Sequence, residues 1–272
     1  MPAAPWTRRA GRLTLRPMDQ VLTHLPPWSA LAGIALAALA GGLSRGFSGF
    51  GAALVFVPLA SAAVGPRAAV PVLALLETVS CLVFLPGAWP HAARRDVAVM
   101  AAGAILAVPA GSLVLAHSDP VTLRWGLTGL VLAAVAVLAS GWRYRGRDSV
   151  PLTLGVGAAG GLMSGAAMLG GVPPAVWWLG RSASARAMRA SMNLYFAILT
   201  AAIVAAFAWR GLFGWQAAWL ALAAGPAYGA GLWGGAALFG LASDTTFRRV
   251  AFGLILGAAV LGMPLWDPLT GR

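Results

Sequence analysis

Near-continuous apolar runs, separated by short charged or Pro/Gly joints, fill the chain from Trp28 to Met263. At roughly 20 residues per crossing, runs of this kind are membrane-spanning helices. The pattern predicts spans at 28–43, 47–64, 68–85, 97–116, 121–141, 152–168, 172–179, 189–209, 215–241 and 247–263. The pieces beside two glycine clusters are short, and they read as half-spans or as arms of a tightly bent hairpin. The expected fold is an all-α polytopic membrane protein of about eight to ten crossings.

The two glycine clusters give that fold its organisation. The first runs Gly41-Gly42-Leu43-Ser44-Arg45-Gly46-Phe47-Ser48-Gly49-Phe50-Gly51 and on to Val57-Pro58. The second runs Gly160-Gly161-Leu162-Met163-Ser164-Gly165 and on to Gly171-Val172-Pro173-Pro174. Setting Gly46 over Gly161 also sets Val57-Pro58 over Val172-Pro173. Two repeats of four to five transmembrane segments follow, 29–141 and 151–264, each with a glycine-broken helix. A basic loop, 142–150, joins them, and a basic segment, 1–28, precedes them and is expected in the cytoplasm. Interrupted apolar segments at matching places in two halves point to a transporter's binding site. Irregular backbone at membrane depth survives only where protein or a wet cavity satisfies its polar groups.

Composition narrows the function further. The chain is 60% hydrophobic and 10% charged, with mean hydropathy +0.81. No polar stretch is long enough for a second domain, which needs about 50 residues. The net charge of +12 comes from arginine alone, because the chain has no lysine. Those arginines are scattered between apolar spans, which excludes a nucleic-acid face and leaves the lipid surface as the partner. The single cysteine, Cys81, excludes an internal disulfide, and no His/Cys/Asp/Glu cluster has metal-ligand spacing. No metal and no cofactor are expected. Arg8, Arg9, Arg12 and Arg16 before a small-residue run resemble a signal peptide, but the run continues into the first glycine cluster, so a retained first span is the reading. The arginine-rich loops 91–95 and 143–147 are expected in the cytoplasm. If the second broken segment is a re-entrant pair, Arg181, Arg186, Arg189, Arg248 and Arg249 join them, and an odd number of crossings in one half, or inverted repeats, follows. The expected location is the cell inner membrane.

Few residues within the spans can carry chemistry. Arg45 stands between two apolar runs among Gly42, Gly46, Gly49 and Gly51, and an intramembrane charge is a functional hypothesis by default. Its guanidinium matches the oxygens of a carboxylate, sulfonate or phosphate. Free amides where the helix restarts, near Phe47–Phe50, add positive potential at the same place. Gly46, Ser48, Gly49 and Gly51 complete this substrate-binding candidate, and Ser164 and Gly165 are its counterparts in the second repeat. Glu77, an acidic residue near the middle of its span, is the candidate for proton coupling or for gating by pairing with Arg45. Ser80 and Cys81 lie on the same helical face as Glu77. Asn193 and Tyr195, in the helix after the second break, can orient an oxyanion without adding charge.

The expected activity is secondary transport of a small anion. The alternatives are a passive anion channel or, from the G-x-S-G string at Gly46–Gly49, an intramembrane serine hydrolase. Hydrolysis needs a histidine within reach of Ser48, whereas His24, His91 and His117 fall in or beside loops. In these residues the chain resembles the sulfite exporter TauE/SafE family of membrane transporters. The resemblance rests on G-F-x-G-x-G at Gly46–Gly51 running into Val57-Pro58, echoed at Gly161–Pro173. Ala52-Ala53 replace the end of the family's fuller glycine triplet, and the second copy is more degenerate. The resemblance implies an inner-membrane carrier, with sulfite, a sulfonate or another sulfur-containing or organic anion as substrate. A homodimer is a further candidate assembly.

Overall fold

The computed structural model describes residues 28–141, 149–179, 184–238, 253 and 255–266. The elements among them are helices: α1 (Trp28–Ser48), α2 (Ala52–Val64), α3 (Pro66–Ala88), α4 (Arg94–His117), α5 (Pro120–Ala139), α6 (Val150–Ala167), α7 (Val172–Leu179), α8 (Ala185–Trp209) and α9 (Trp215–Leu238). A last helical stretch, 255–262, precedes a short 3-10 turn, Pro264–Trp266. Six of these helices, α1, α3, α4, α5, α6 and α8, are long and apolar enough to cross a membrane. Outward-facing Leu36, Leu82, Leu106 and Leu222 are each more than 60% exposed, as side chains in contact with lipid are.

The glycine clusters make hairpins. A Cβ on Gly41 would lie 3.1 Å from that of Phe56, and one on Gly33 would lie 3.6 Å from that of Ala63, so α2 returns antiparallel along α1. Gly49 (φ 78°) and Gly51 (φ 97°) form the turn, in a left-handed conformation that a side chain rarely adopts. The helix therefore breaks after Ser48, later than the break expected near Arg45. Gly42 and Gly46 stay helical because their role is close packing. A Cβ there would lie 2.3 Å from the Tyr228 carbonyl oxygen and 2.1 Å from that of Leu232, both on α9. In the second hairpin α7 folds back on α6, and Gly170 meets Gly160 and Ser164. Gly161 and Gly165 pack on α4, where a Cβ would lie 2.2 Å from the Ala104 oxygen and 2.4 Å from that of Val108. By packing role Gly42 matches Gly161 and Gly46 matches Gly165, one helical turn from the sequence register that sets Gly46 over Gly161.

These contacts fix direction. Leu39 and Leu43 of α1 meet Gly231 and Gly235 of α9 in ascending order, so the two helices are parallel. Met100, Ala104 and Val108 of α4 likewise meet Gly157, Gly161 and Gly165 of α6. Helices α3 and α8 pack on each other; of these pairs α3 packs chiefly on α9, and α8 chiefly on α4. One face of the bundle gathers the starts of α4 and α8, where the Ala93 amide donates to Ser191 Oγ at 3.0 Å. This face carries Arg94, Arg95, Arg186 and Arg189. At the opposite face Arg67 donates to the Ser118 carbonyl at 3.0 Å, and Arg210 Nε to Ser112 Oγ at 2.7 Å. Asp119 there caps α5, and its bonds from the backbone amides of Thr122 and then Val121 hold its carboxyl below the usual carboxylate range.

Candidate anion site

The tips of the two hairpins meet inside the bundle, where Gly171 faces Phe50. Between them lies a cavity of about 30 Å3 lined by Arg45, Gly51–Leu54, Glu77, Ser164, Gly171–Val172 and Thr200, among others. The first turns of both α2 and α7 therefore border one space. Gly51 offers no side chain to cap α2. The leading amides of a helix lack intrahelical partners and carry partial positive charge, which suits an anion. A water needs about 10–15 Å3 of such space, so the cavity has room for two or three waters.

Arg45 is the charge at this place, 2% exposed. Its Nε lies 3.0 Å from Glu77 Oε2, but off the line a hydrogen bond requires, so the attraction is ionic. Nη1 donates to the Gly49 carbonyl, Nη2 lies 4.0 Å from Cys81 Sγ, and the guanidinium carbon sits 4.7 Å from the centre of the Phe196 ring. Glu77 is 6% exposed. The Tyr228 hydroxyl donates to its Oε1, and the Ser80 hydroxyl lies 3.3 Å from Oε2. The arginine thus holds four kinds of partner: a carboxylate, a backbone carbonyl, a thiol and an aromatic ring.

The remaining candidates divide. The Ser48 hydroxyl bonds the hairpin's own backbone, donating to the Ser44 carbonyl at 2.7 Å or to that of Phe50. Gly46 packs on α9, while its carbonyl accepts from Arg189 Nη2 at 2.9 Å. Gly49 and Gly51 shape the turn, and Gly51 also lines the cavity. Ser164 lines it too, and its Oγ accepts from the Gly170 amide at 3.1 Å. Gly165 packs on α4, away from the cavity. Asn193 and Tyr195 do not line it. The Tyr195 ring turns toward Trp178, at 6.0 Å, and its hydroxyl toward Gly160. Of the histidines, His91 lies between α3 and α4 and His117 closes α4; His24 is outside the described residues.

Sequence reasoning missed Tyr228, Phe196, Thr200 and the contact of Arg189 with the first hairpin. Tyr228 did carry a signal, as a phenol inside a glycine-rich apolar helix whose buried hydroxyl needs a partner. Phe196 carried none, being one apolar residue among many.

A model of the family described as "Sulfite exporter TauE/SafE" matches residues 34–262, most of the chain and both hairpins. The chain belongs to the sulfite exporter TauE/SafE family. No curated protein and no solved structure matches it. Membership makes the chain a membrane transporter of the sulfite-exporter type. Within TauE/SafE terms, the first glycine motif is the turn of α1–α2 and the surface on which α9 rests.

Proposed function

We propose that the chain carries a small sulfur-containing or organic anion, such as sulfite or a short sulfonate, across the cell inner membrane in company with a proton. One observation carries this reading: Arg45 and the first turns of α2 and α7 border the same buried cavity. A guanidinium supplies planar, charge-assisted donors, and two helix starts supply backbone amides, which together suit a trigonal or tetrahedral oxyanion. Glu77 occupies Arg45 while the site is empty. An arriving anion competes for the guanidinium, the carboxylate loses its counter-charge, and it takes up a proton. Anion and proton then bind together.

The opposed directions of α1 and α6 support inverted repeats. Alternating access in such carriers is a rocking of one repeat against the other about a central site. Uptake of sulfite, sulfate, thiosulfate, short sulfonates and carboxylates into proteoliposomes, with and without a pH gradient, tests the reading. Accumulation of at least one of these anions driven by the pH gradient is expected. Glu77→Gln should keep anion-for-anion exchange and lose that acceleration. Downhill flux alone, indifferent to pH in both proteins, would instead indicate a passive channel.

Orientation is tested separately. Helices α5 and α7 end at the arginine-rich face and α6 and α8 start there; the intervening sequence, 142–148 and 180–183, has four more arginines and lies outside the described residues. By the positive-inside rule this face is cytoplasmic. Helix α1 then starts from the other side, which competes with the expected cytoplasmic placement of residues 1–28; residues 1–27 lie outside the described ones. In a Cys81→Ser background, single cysteines at 92 and 184 should label from the cytoplasm, and one at 118 from outside. A cysteine at 20 decides the N-terminal segment. Labelling of 92 and 184 on opposite sides would refute the second hairpin.

A further inference from the structure

We infer that the groove between α5, α6 and α7 holds one acyl chain of a zwitterionic, amine-bearing phospholipid, with the headgroup on Arg95 and Asp96. The groove, of about 500 Å3, follows α6 from Leu152 to Met163, with Leu130–Val137 of α5 and Val172–Trp177 of α7 as its other walls. It contains almost no polar surface, which suits a hydrocarbon. From Leu152 to Met163 the helix rises about 17 Å, close to half of the roughly 30 Å hydrocarbon core. One chain from one leaflet fits that length.

A polar pocket adjoins the groove at the start of α6. Trp177 and the first turn of α6 line both spaces. The pocket, of about 220 Å3, is also bounded by Arg95, Asp96, Ser149 and Thr153. It lies at the arginine-rich face, where a headgroup resides. Ser149 and Thr153 are engaged locally: Ser149 Oγ accepts from the Leu152 amide at 3.3 Å, and the Thr153 hydroxyl donates to the Ser149 carbonyl at 3.1 Å. Arg95 and Asp96 are different. Both are exposed, and among the described residues neither makes an ion pair or a side-chain hydrogen bond, even with the other. One unengaged cation beside one unengaged carboxylate complements a phosphate joined to an ammonium by a short linker. A purely anionic headgroup would satisfy Arg95 and be repelled by Asp96.

Native mass spectrometry of the delipidated protein, titrated with phosphatidylethanolamine and with phosphatidylglycerol of the same acyl chains, tests this. Phosphatidylethanolamine should bind tighter by about tenfold, the weight of one charge-assisted contact. Asp96→Asn should remove that preference, and Arg95→Gln should weaken both lipids about tenfold. Val156→Trp and Val137→Trp, which fill the groove from opposite walls, should each abolish the bound species; gel filtration identifies any variant that fails to fold. Equal binding of the two lipids by the unaltered protein would overturn the headgroup assignment. Undiminished phosphatidylethanolamine binding by a folded groove-filling variant would overturn the site.

Discussion

Arg45→Ala is expected to abolish transport and to lower folding stability by about 3–5 kcal/mol. The second effect follows from what the substitution leaves behind. On sequence grounds a lone intramembrane arginine is a cost, and its removal should leave the protein intact. In the folded chain it is no longer alone: Glu77 is 6% exposed and sits 3.0 Å from its Nε. Removing the arginine strands a buried carboxylate on the Tyr228 and Ser80 hydroxyls alone. Arg45→Ala/Glu77→Gln removes both charges and should regain most of the stability while remaining inactive. Arg45→Lys should keep the pair and recover transport only in part, because an ammonium lacks the planar fork. Thermal melts in detergent beside proteoliposome uptake separate the two effects. A double variant as unstable as the single one would mean that the ion pair is not what holds the site together. Wild-type uptake by Arg45→Ala would remove Arg45 from the anion path.

A comparable loss is expected from a single methyl group. Gly46→Ala would place a Cβ 2.1 Å from the Leu232 carbonyl oxygen, and Gly161→Ala one 2.2 Å from that of Ala104. Both obstacles are backbone, so relief requires two helices to move apart along a shared face. Overpacking costs about 1–3 kcal/mol in ordinary cores and occasionally more; both variants should fall at or above the top of that range. Gly129→Ala is the control. It is helical, nothing lies within 4 Å of its missing Cβ, and it should be neutral or gain up to about 1 kcal/mol. Equal melting behaviour in all three variants would show that the glycines are not needed for close approach.

Much of this was legible in the chain. Apolar runs gave the helices, and the first glycine cluster marked a turn, since Gly49 and Gly51 adopt a conformation that other residues resist; in the second half the left-handed residue is Met168. Arg45 and Glu77 stood out because a charge in an apolar span demands a partner. What the chain concealed was the division of labour among the glycines. Gly42 and Gly46 look like helix breakers, yet they remain helical because α9, far along the sequence, needs their bare surface. Asn193 and Tyr195 follow the second break in sequence, but neither lines the cavity, and the helix turns Tyr195 toward Trp178 and Gly160. Helical phase relative to a distant neighbour is a tertiary property, and local spacing does not encode it.

The exchange of partners between the halves also constrains how the protein is made. The glycine face of α1 fits α9, and that of α6 fits α4, so neither half contains the surface its own first helix needs. At about 5–20 residues per second, α1 waits roughly 10–40 s in the membrane before α9 is synthesised. Helix α6 finds α4 already in place. The second hairpin therefore finds its partner helix during synthesis, whereas the first docks on α9 only at its end. A chain truncated before α9 leaves Arg45 near the tip of a hairpin with no Tyr228 beside its carboxylate partner.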